Sequence, residues 1–441
     1  MGAVISVIMA TYNRGRHIVP SIRSVLAQTH GDLELLIVGD NCTDDTQKVV
    51  RPFLGERVRW VNLSERCGSQ SFPNNAGIAA AKGDIIAYIG HDDIWLPNHL
   101  ATLASLFDTD RGLDFAVGGA IFHGPRGSDF REITGLFAGD DAPFEHFFPP
   151  SSFAHRAHVT DRIGIWKHPQ NIRAPVDADF LLRAARAGLR FRSTQAISVH
   201  KFAAGHRYLS YLVHESGEQE RMLEHIQRPR HDSYLQGQLR RAHQAGTFMH
   251  VRHLDFDQYP TGYFATANAR VKGNLRPNLI TLEVPETLLQ DDAPRALDWQ
   301  LPADPTPGIR FVGCNPRPRI LIPFRRAGKA FFSVTFFHHH RLALNALNLC
   351  VNGRSVAVSM GVAEEKDALY MTRAGFAAPL AKDDYSVITL RLSREQALRT
   401  GRQGLGVGDV KLQPIGIDVK LKHWWAGLKG RTASPGNTRD H

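Results

Sequence analysis

Cysteine is scarce in this 441-residue chain: there are four, Cys42, Cys67, Cys314 and Cys350. Their wide spacing gives neither a zinc knuckle nor a disulfide framework, which excludes small cross-linked scaffolds and suits a reducing cytosol. No apolar run approaches the roughly 18 residues that a bilayer-spanning helix needs. No signal-peptide pattern is expected at the start, because residues 4 to 10 already read as a core strand. Met1-Gly2-Ala3-Val4-Ile5-Ser6 fits an N-myristoylation pattern, but an acyl group on Gly2 would crowd that strand. Nor does an RNA-binding aromatic signature accompany the net charge of +10. The basic residues are scattered, with small clusters at Arg240-Arg241, Arg325-Arg326 and the tail. Attraction to anionic nucleotides or membrane lipid explains that charge, and no nucleic-acid partner is expected.

What is present describes soluble globular protein: 43% hydrophobic and 22% charged residues, in a chain long enough for two domains. Residues 1–210 alternate strand and helix patterns, which implies an α/β domain with a mostly parallel sheet covered on both faces. The first helix is predicted over His17 to Gln28, with Ile18, Ile22, Val25 and Leu26 on one face. Gly83 and Gly188 each follow a helical run and are expected as left-handed caps. Residues 121–150 read as an irregular loop. Residues 211–250 are polar and helical, a connector. From 255 to 417 short β-like runs alternate with turn residues, Asn352-Gly353 among them, which predicts an all-β sandwich or jelly roll. Residues 418–441 form a basic tail.

The chemistry concentrates at Tyr88-Ile89-Gly90-His91-Asp92-Asp93-Ile94-Trp95-Leu96-Pro97. An apolar strand, Ile85 to Ile89, runs into two carboxylates, and Pro97 opens a helical pattern. Paired acids at the end of a buried strand are costly without a positive partner, and a divalent metal carrying a diphosphate is the usual one. Two further strands end alike. Ile5 to Ala10 leads into Thr11-Tyr12-Asn13-Arg14, and Leu33 to Val38 into Gly39-Asp40-Asn41-Cys42-Thr43-Asp44-Asp45. Open α/β sheets bind ligands beyond the carboxyl ends of their strands, so the three tips are expected to form one site.

These pieces resemble the family 2 glycosyltransferases, inverting enzymes of the GT-A fold. The likeness runs through Ile5 to Arg14, Ile37 to Thr46, Asn75 to Asp84, Asp92-Asp93 and Val176 to Gly188, in that order, across the first half of the chain. Asp40 is expected to hold the base or ribose of a nucleotide sugar by accepting hydrogen bonds. The resemblance adds Thr11 and Asn13 to that seat, with Asn75 and its neighbour Asn74 as further contributors; each could equally cap or open a helix. Asp92 stands at the family's direct metal position, and Gly90 replaces the family's acid two residues earlier. His200, after the strand Ala196 to Val199, falls where many relatives supply another ligand. An oxygen-plus-imidazole set suits Mn²⁺ better than Mg²⁺. His91 is expected to point away, and Asp93 to support the loop. Asp177 falls where the family places its catalytic base, and partial burial would raise its pKa usefully. Asp179 lies about 200° further round the helix and cannot aim at the same hydroxyl.

The resemblance therefore implies a cytoplasmic inverting glycosyltransferase with a divalent Mn²⁺ or Mg²⁺ cofactor. It would move a sugar from a nucleotide-diphosphate donor to a saccharide or lipid-linked acceptor in bacterial surface polysaccharide or glycan assembly. The alternative is a catalytically degenerate scaffold whose β-sandwich binds glycan or partner proteins; Gly90 favours it, and intact Asp92 and Asp177 oppose it. A nucleotidyltransferase would need a Gly-rich basic loop after the first strand, which Thr11-Tyr12-Asn13-Arg14 is not. Sugar binding, oligomerisation (a homo-oligomer included) and docking to a partner enzyme stand unranked for the β domain. Alternation splits His338-His339-His340 between two faces, so a surface strand edge is expected rather than a metal site. Lys420, Lys422, Lys429 and Arg431 around Trp424-Trp425 suit peripheral membrane contact as well as a docked or disordered tail.

Overall fold

The computed structural model describes residues 4–124, 131–139, 148–202, 216–245, 256–266, 286–288, 296–297, 310–311, 319–324, 328–338, 348–366, 369–380, 384–391 and 405–414. The basic tail, His339-His340 and Cys314 lie outside the described residues. The chain divides into two compact units, Met1–Pro277 and Asn278–His441. Among the described residues no helix is long and apolar enough to cross a membrane.

The strands of the first unit are β1 Ile5–Thr11, β2 Leu33–Gly39, β3 Val58–Asn62, β4 Ile85–Tyr88, β5 Ile94–Trp95, β6 Phe115–His123, β7 Arg131–Thr134, β8 Phe153–Arg156 and β9 Phe191–Lys201. They form one nine-stranded sheet in the order β3-β2-β1-β4-β8-β6-β9-β5, with β7 on β6. Its helices are α1 Val19–Leu26, α2 Thr46–Val50, α3 Ser71–Ala80, α4 His99–Thr109, α5 Val159–Ile163, α6 Val176–Arg186, α7 Gly217–Ile226 and α8 His231–Ala245.

The first strands are apolar at nearly every position because both faces are covered. Ile5, Val7 and Met9 share one core with Ile22 and Val25 of α1 and Leu100, Leu103 and Phe107 of α4. Ile8, Leu36, Ile86 and Tyr88 face a second core with Phe180, Leu181 and Ala184 of α6. The period-two alternation thus feeds two helical layers. β1 runs parallel to β2 and β4, and the register puts Thr11 level with Gly39 and Ile8 level with Tyr88. The three polar tips consequently leave the sheet side by side. Two expectations are corrected. Part of the region read as an irregular loop is ordered: β6 extends to His123 and pairs antiparallel with β7. Gly83 is no left-handed cap; a Cβ there would lie 2.4 Å from the Val4 carbonyl oxygen, so close backbone approach requires the glycine. Gly188, with φ +69°, is the expected cap after α6.

Among the described residues the second unit holds two antiparallel sheets, one of seven strands and one of five. Phe332, Val334 and Phe336 from the strand Gly328–His338 share one apolar core with Ile320, Ile322, Leu349, Ile388 and Leu390 of the other sheet. His338 is not on an exposed edge. Its strand is central, it is buried, and its Nε2 lies 3.2 Å from the Thr372 hydroxyl.

Glu34 clamps the first three strands from below. Its carboxylate accepts from the Ser6 hydroxyl (2.6 Å), the Lys82 backbone N–H (2.7 Å) and the Arg59 guanidinium (2.6 Å). Burial alone would push the carboxyl up; these donors outweigh it and hold it below the ordinary 4.5. A depressed carboxylate stabilises the fold above its free pKa and loses that contribution as pH falls through the folded value. Glu34→Gln should therefore cost about 1–3 kcal/mol at pH 7. In urea unfolding, the gap from wild type should narrow as the pH is lowered below the ordinary glutamate range.

Candidate functional site

The tips of β1, β2 and β4 open into a cleft of about 590 Å³, a size typical of small-molecule sites. Thr11 and Tyr12 line it from β1, Asp40 from beyond β2, and Gly90, His91 and Asp92 from beyond β4. The loop from Arg66 to Gln70 and the first turns of α3, with Pro73 and Asn74, form one wall. Val176 and Asp177 at the start of α6, and Lys201 at the end of β9, close the other.

Of the seven residues singled out from the sequence, the cleft gathers Thr11, Asp40, Asp92 and Asp177. Asn13 instead ties two tips together: its side-chain amide donates to the Thr43 hydroxyl, its side-chain carbonyl accepts from the Thr43 N–H, and its φ is +44°. Asn75 spends both ends of its amide on the backbone of Trp166, at 2.8 and 2.9 Å. Its neighbour Asn74 is the one that lines the cleft; its amide nitrogen is buried without a hydrogen-bond partner, as is the Thr11 hydroxyl. Buried donors without partners are rare in folded proteins, and here two of them border the cleft. Asp40 is committed in part, since its two oxygens accept from the N–H groups of Cys67 and Gly68, both at 2.8 Å. At the mouth of the cleft the Arg66 guanidinium lies 3.8 Å over the Tyr12 ring.

His200 does not face the cleft. Its Nδ1 lies 2.9 Å from His123 and its Nε2 3.4 Å from His231, whose Nδ1 in turn lies 2.9 Å from His225. Burial, then the charge of His231, holds its imidazole well below the ordinary 6.5. Alternation along β9 sends the next residue the other way, and Lys201 enters the cleft wall. Its Nζ is 2.8 Å from Asp93 Oδ2. Asp93 is fully buried and also accepts from the Ser151 hydroxyl (2.5 Å) and the Phe202 N–H (3.0 Å). Burial would lower the Lys201 pKa, but the carboxylates of Asp93 and Asp92 outweigh it and hold the ammonium above the ordinary 10.5.

His91 does not point away. A guanidinium can only donate, so His91 Nε2 accepts from Arg14 Nε at 2.7 Å and its Nδ1–H faces the Ala10 carbonyl at 3.1 Å. Burial and the adjacent Arg14 keep this imidazole well below 6.5, hence neutral. Arg14, itself fully buried, then reaches to 3.8 Å from Asp92 Oδ2. Asp177 and Asp179 are separated as expected. Asp179 pairs with Arg183 at 2.8 Å, while the Asp177 carboxyl lines the cleft and accepts only locally, from the Ala178 N–H at 3.0 Å. Burial raises the Asp177 carboxyl above the ordinary 3.8, against the pull of Lys201.

Residues 6–152 match the family model "Glycosyl transferase family 2". Over these residues the chain is similar to family 2 glycosyltransferase domains. An uncharacterized glycosyltransferase of Nostoc sp. is 31% identical over 175 residues, 36% of this chain and 52% of that protein. Glycosyltransferase GlyG of Streptococcus pneumoniae is 33% identical over 105 residues, 23% of this chain and 35% of its own. The Escherichia coli UDP-Glc:α-D-GlcNAc-diphosphoundecaprenol β-1,3-glucosyltransferase WfaP is 24% identical over 202 residues, 45% of this chain and 76% of its own. The chain thus spans about half the length of the Nostoc relative. Among solved structures, S. aureus TarS residues 1–349 with UDP-GlcNAc is 16% identical with a TM-score of 0.39, over 64% of this chain and 76% of that one. The first unit is GT-A-like in its fold, parallel across β3-β2-β1-β4 with its cleft at the strand tips.

Among the described residues Asp92 and His200 are not brought together as the expected carboxylate-plus-imidazole metal site. His200 faces α7 and α8, buried Asp93 already accepts three hydrogen bonds, and Asp92 has Arg14 beside it. Among the described residues no group of three or more His, Cys, Asp or Glu side chains is placed to hold a metal ion. Lys201 and Arg14 went unassigned from sequence. A lysine closing an otherwise buried strand was the signal for the first, because lysine is almost never buried unpaired. Phe264 and Ala265 also line the cleft, although the sequence pattern put them beyond residue 255 in the β domain. Asn75→Ala should cost about 1–3 kcal/mol by stranding two backbone groups of Trp166. Asn74→Ala should leave the urea midpoint nearly unchanged, since its amide nitrogen holds nothing in the folded protein.

Proposed function

We propose that this protein is an inverting glycosyltransferase that moves a sugar from a nucleoside-diphosphate donor to an acceptor hydroxyl. The observation that carries the assignment is one cleft in a family 2 domain holding buried, unpartnered donors at Thr11 and Asn74 together with a carboxyl of raised pKa at Asp177. In this reading the Tyr12–Arg66 pair offers a flat cationic surface to the base. Asp40 fixes the 67–68 loop and keeps lone pairs for a base or ribose N–H or O–H, since each carboxylate oxygen can accept twice. Thr11 and Asn74 donate to the nucleotide, and Asn13 and Asn75 hold the walls in place. A UDP-sugar is the first donor to test and a lipid-linked saccharide the first acceptor, because the E. coli relative bears both in its name.

Asp177 acts as general base. It removes the acceptor proton as the hydroxyl oxygen bonds to the anomeric carbon, and the electron pair of the breaking carbon–oxygen bond leaves on the diphosphate. Attack opposite the leaving group inverts the anomeric configuration. A base must be deprotonated to work, so a raised pKa shifts the acid limb of the pH profile upward. The scaffold alternative rests on Gly90 alone and leaves the unpartnered donors without a purpose. A cytoplasmic setting accords with the free thiols of Cys42 and Cys67. The second unit, two antiparallel sheets over one core, fits a β-sandwich.

Asp177→Asn should lower transfer by about 10²–10⁴-fold while nucleotide affinity stays near wild type. Transfer that persists in the variant would remove Asp177 from the base role. In wild type, kcat/KM should fall with acid on a limb lying above the ordinary aspartate pKa of 3.8. The product's anomeric configuration, read by NMR, should be opposite to the donor's; retention would refute single displacement.

A further inference from the structure

We propose that Lys201, aimed by Asp93, supplies the positive charge for the departing diphosphate, so that donor binding and turnover need no divalent metal. The inference rests on the transferase reading above. Three observations converge on it. First, Lys201 shares the cleft with Asp92 and Asp177, and its one hydrogen bond among the described residues goes to Asp93. An ammonium has three donors, which leaves two for phosphate oxygens. Second, among the described residues the side chains expected to hold a metal are engaged or turned away: Asp93 already accepts three hydrogen bonds, Arg14 neighbours Asp92, and His200 belongs to a histidine chain on the opposite side of β9.

Third, Gly90 and Lys201 are linked. A Cβ at residue 90 would lie 2.6 Å from Asp93 Oδ2 and 3.1 Å from Asp92 Oδ1. The acid missing from this position therefore cannot be restored while Asp93 holds Lys201. Where the resemblance implies a carboxylate that would recruit a cation, this chain places a cation of its own. In the transfer step Lys201 keeps its proton and donates a hydrogen bond to the leaving phosphate oxygen, while Asp177 takes the acceptor proton. Preorganised charge of this kind acts where negative charge develops and needs no reorganisation at the moment of reaction.

Calorimetric titration of UDP, GDP and dTDP into the full chain, in EDTA and then in Mn²⁺, tests this on the unmodified protein. The expected result is binding of one nucleotide with affinities equal within about twofold in the two buffers. Lys201→Met alone strands a buried carboxylate, so the companion variant is Asp93→Asn with Lys201→Met, its folding checked by thermal melting. It should lose about 10–100-fold in affinity for that diphosphate, the equivalent of a charge-assisted hydrogen bond. Mn²⁺ should not restore the loss, and the parent nucleoside, which lacks phosphates, should bind the variant as it binds wild type. Diphosphate binding that requires Mn²⁺, or a folded double variant that binds as wild type does, overturns the inference and leaves the transferase reading standing. No binding of any nucleotide in either buffer overturns the transferase reading, and the inference with it.

Discussion

Asp93 and Lys201 meet at 2.8 Å where the carboxylate has no access to water. Removing one partner of such a pair typically costs about 3–5 kcal/mol, because the other charge is left buried and alone. The contact joins the tip beyond β4 to the end of β9, and Ser151 knits in a third segment by donating to Asp93 and accepting from the Gly90 N–H. The positions of Gly90, Asp92 and Lys201 around the cleft all depend on it. So does the division of labour in β9, where Lys201 turns to the cleft and His200 turns to the histidines of α7 and α8.

A second constraint gives the cleft its place. The parallel register levels the ends of β1 and β2, so that the loops beyond these strands converge without any long-range rearrangement. The tips are then cross-tied by polar side chains instead of apolar packing: Asn13 to Thr43, Thr46 to the backbone of Arg14 and Gly15, Asn62 to the backbone of Cys42. His91 completes the arrangement by orienting Arg14 beside Asp92. Charge around the tips is thereby paired, with Arg14 beside Asp92 and Lys201 on Asp93.

The alternation of apolar runs with turn residues made the fold legible, because a strand covered on both faces leaves an unmistakable run such as Ile5 to Ala10. The place of Asp177 in the cleft was legible for a different reason, because it falls at a position the family resemblance marks. Side-chain direction was not legible. Asn74 and Asn75 are adjacent on α3 and differ only in which way the helix turns them, one to the cleft and one to Trp166. His200 and Lys201 differ by a single step of alternation along a strand whose pairing with β6 shifts register twice. A motif read along the chain assigns a position but not a face, and three of the seven named residues turned elsewhere for that reason. Gly83 failed differently: glycine serves both left-handed turns and close backbone approach, and sequence does not distinguish them.

The central claim is that a nucleoside diphosphate sits in this cleft with its phosphates against Lys201 and its sugar toward Asp177. A crystal structure of the protein soaked with the nucleotide that binds tests it most directly. The account predicts a phosphate oxygen within hydrogen-bonding distance of Lys201 Nζ, the base beside Tyr12 and Asp40, and open space between the diphosphate and the Asp177 carboxylate. A nucleotide bound elsewhere, or phosphates turned away from Lys201 toward a metal on Asp92, would contradict it.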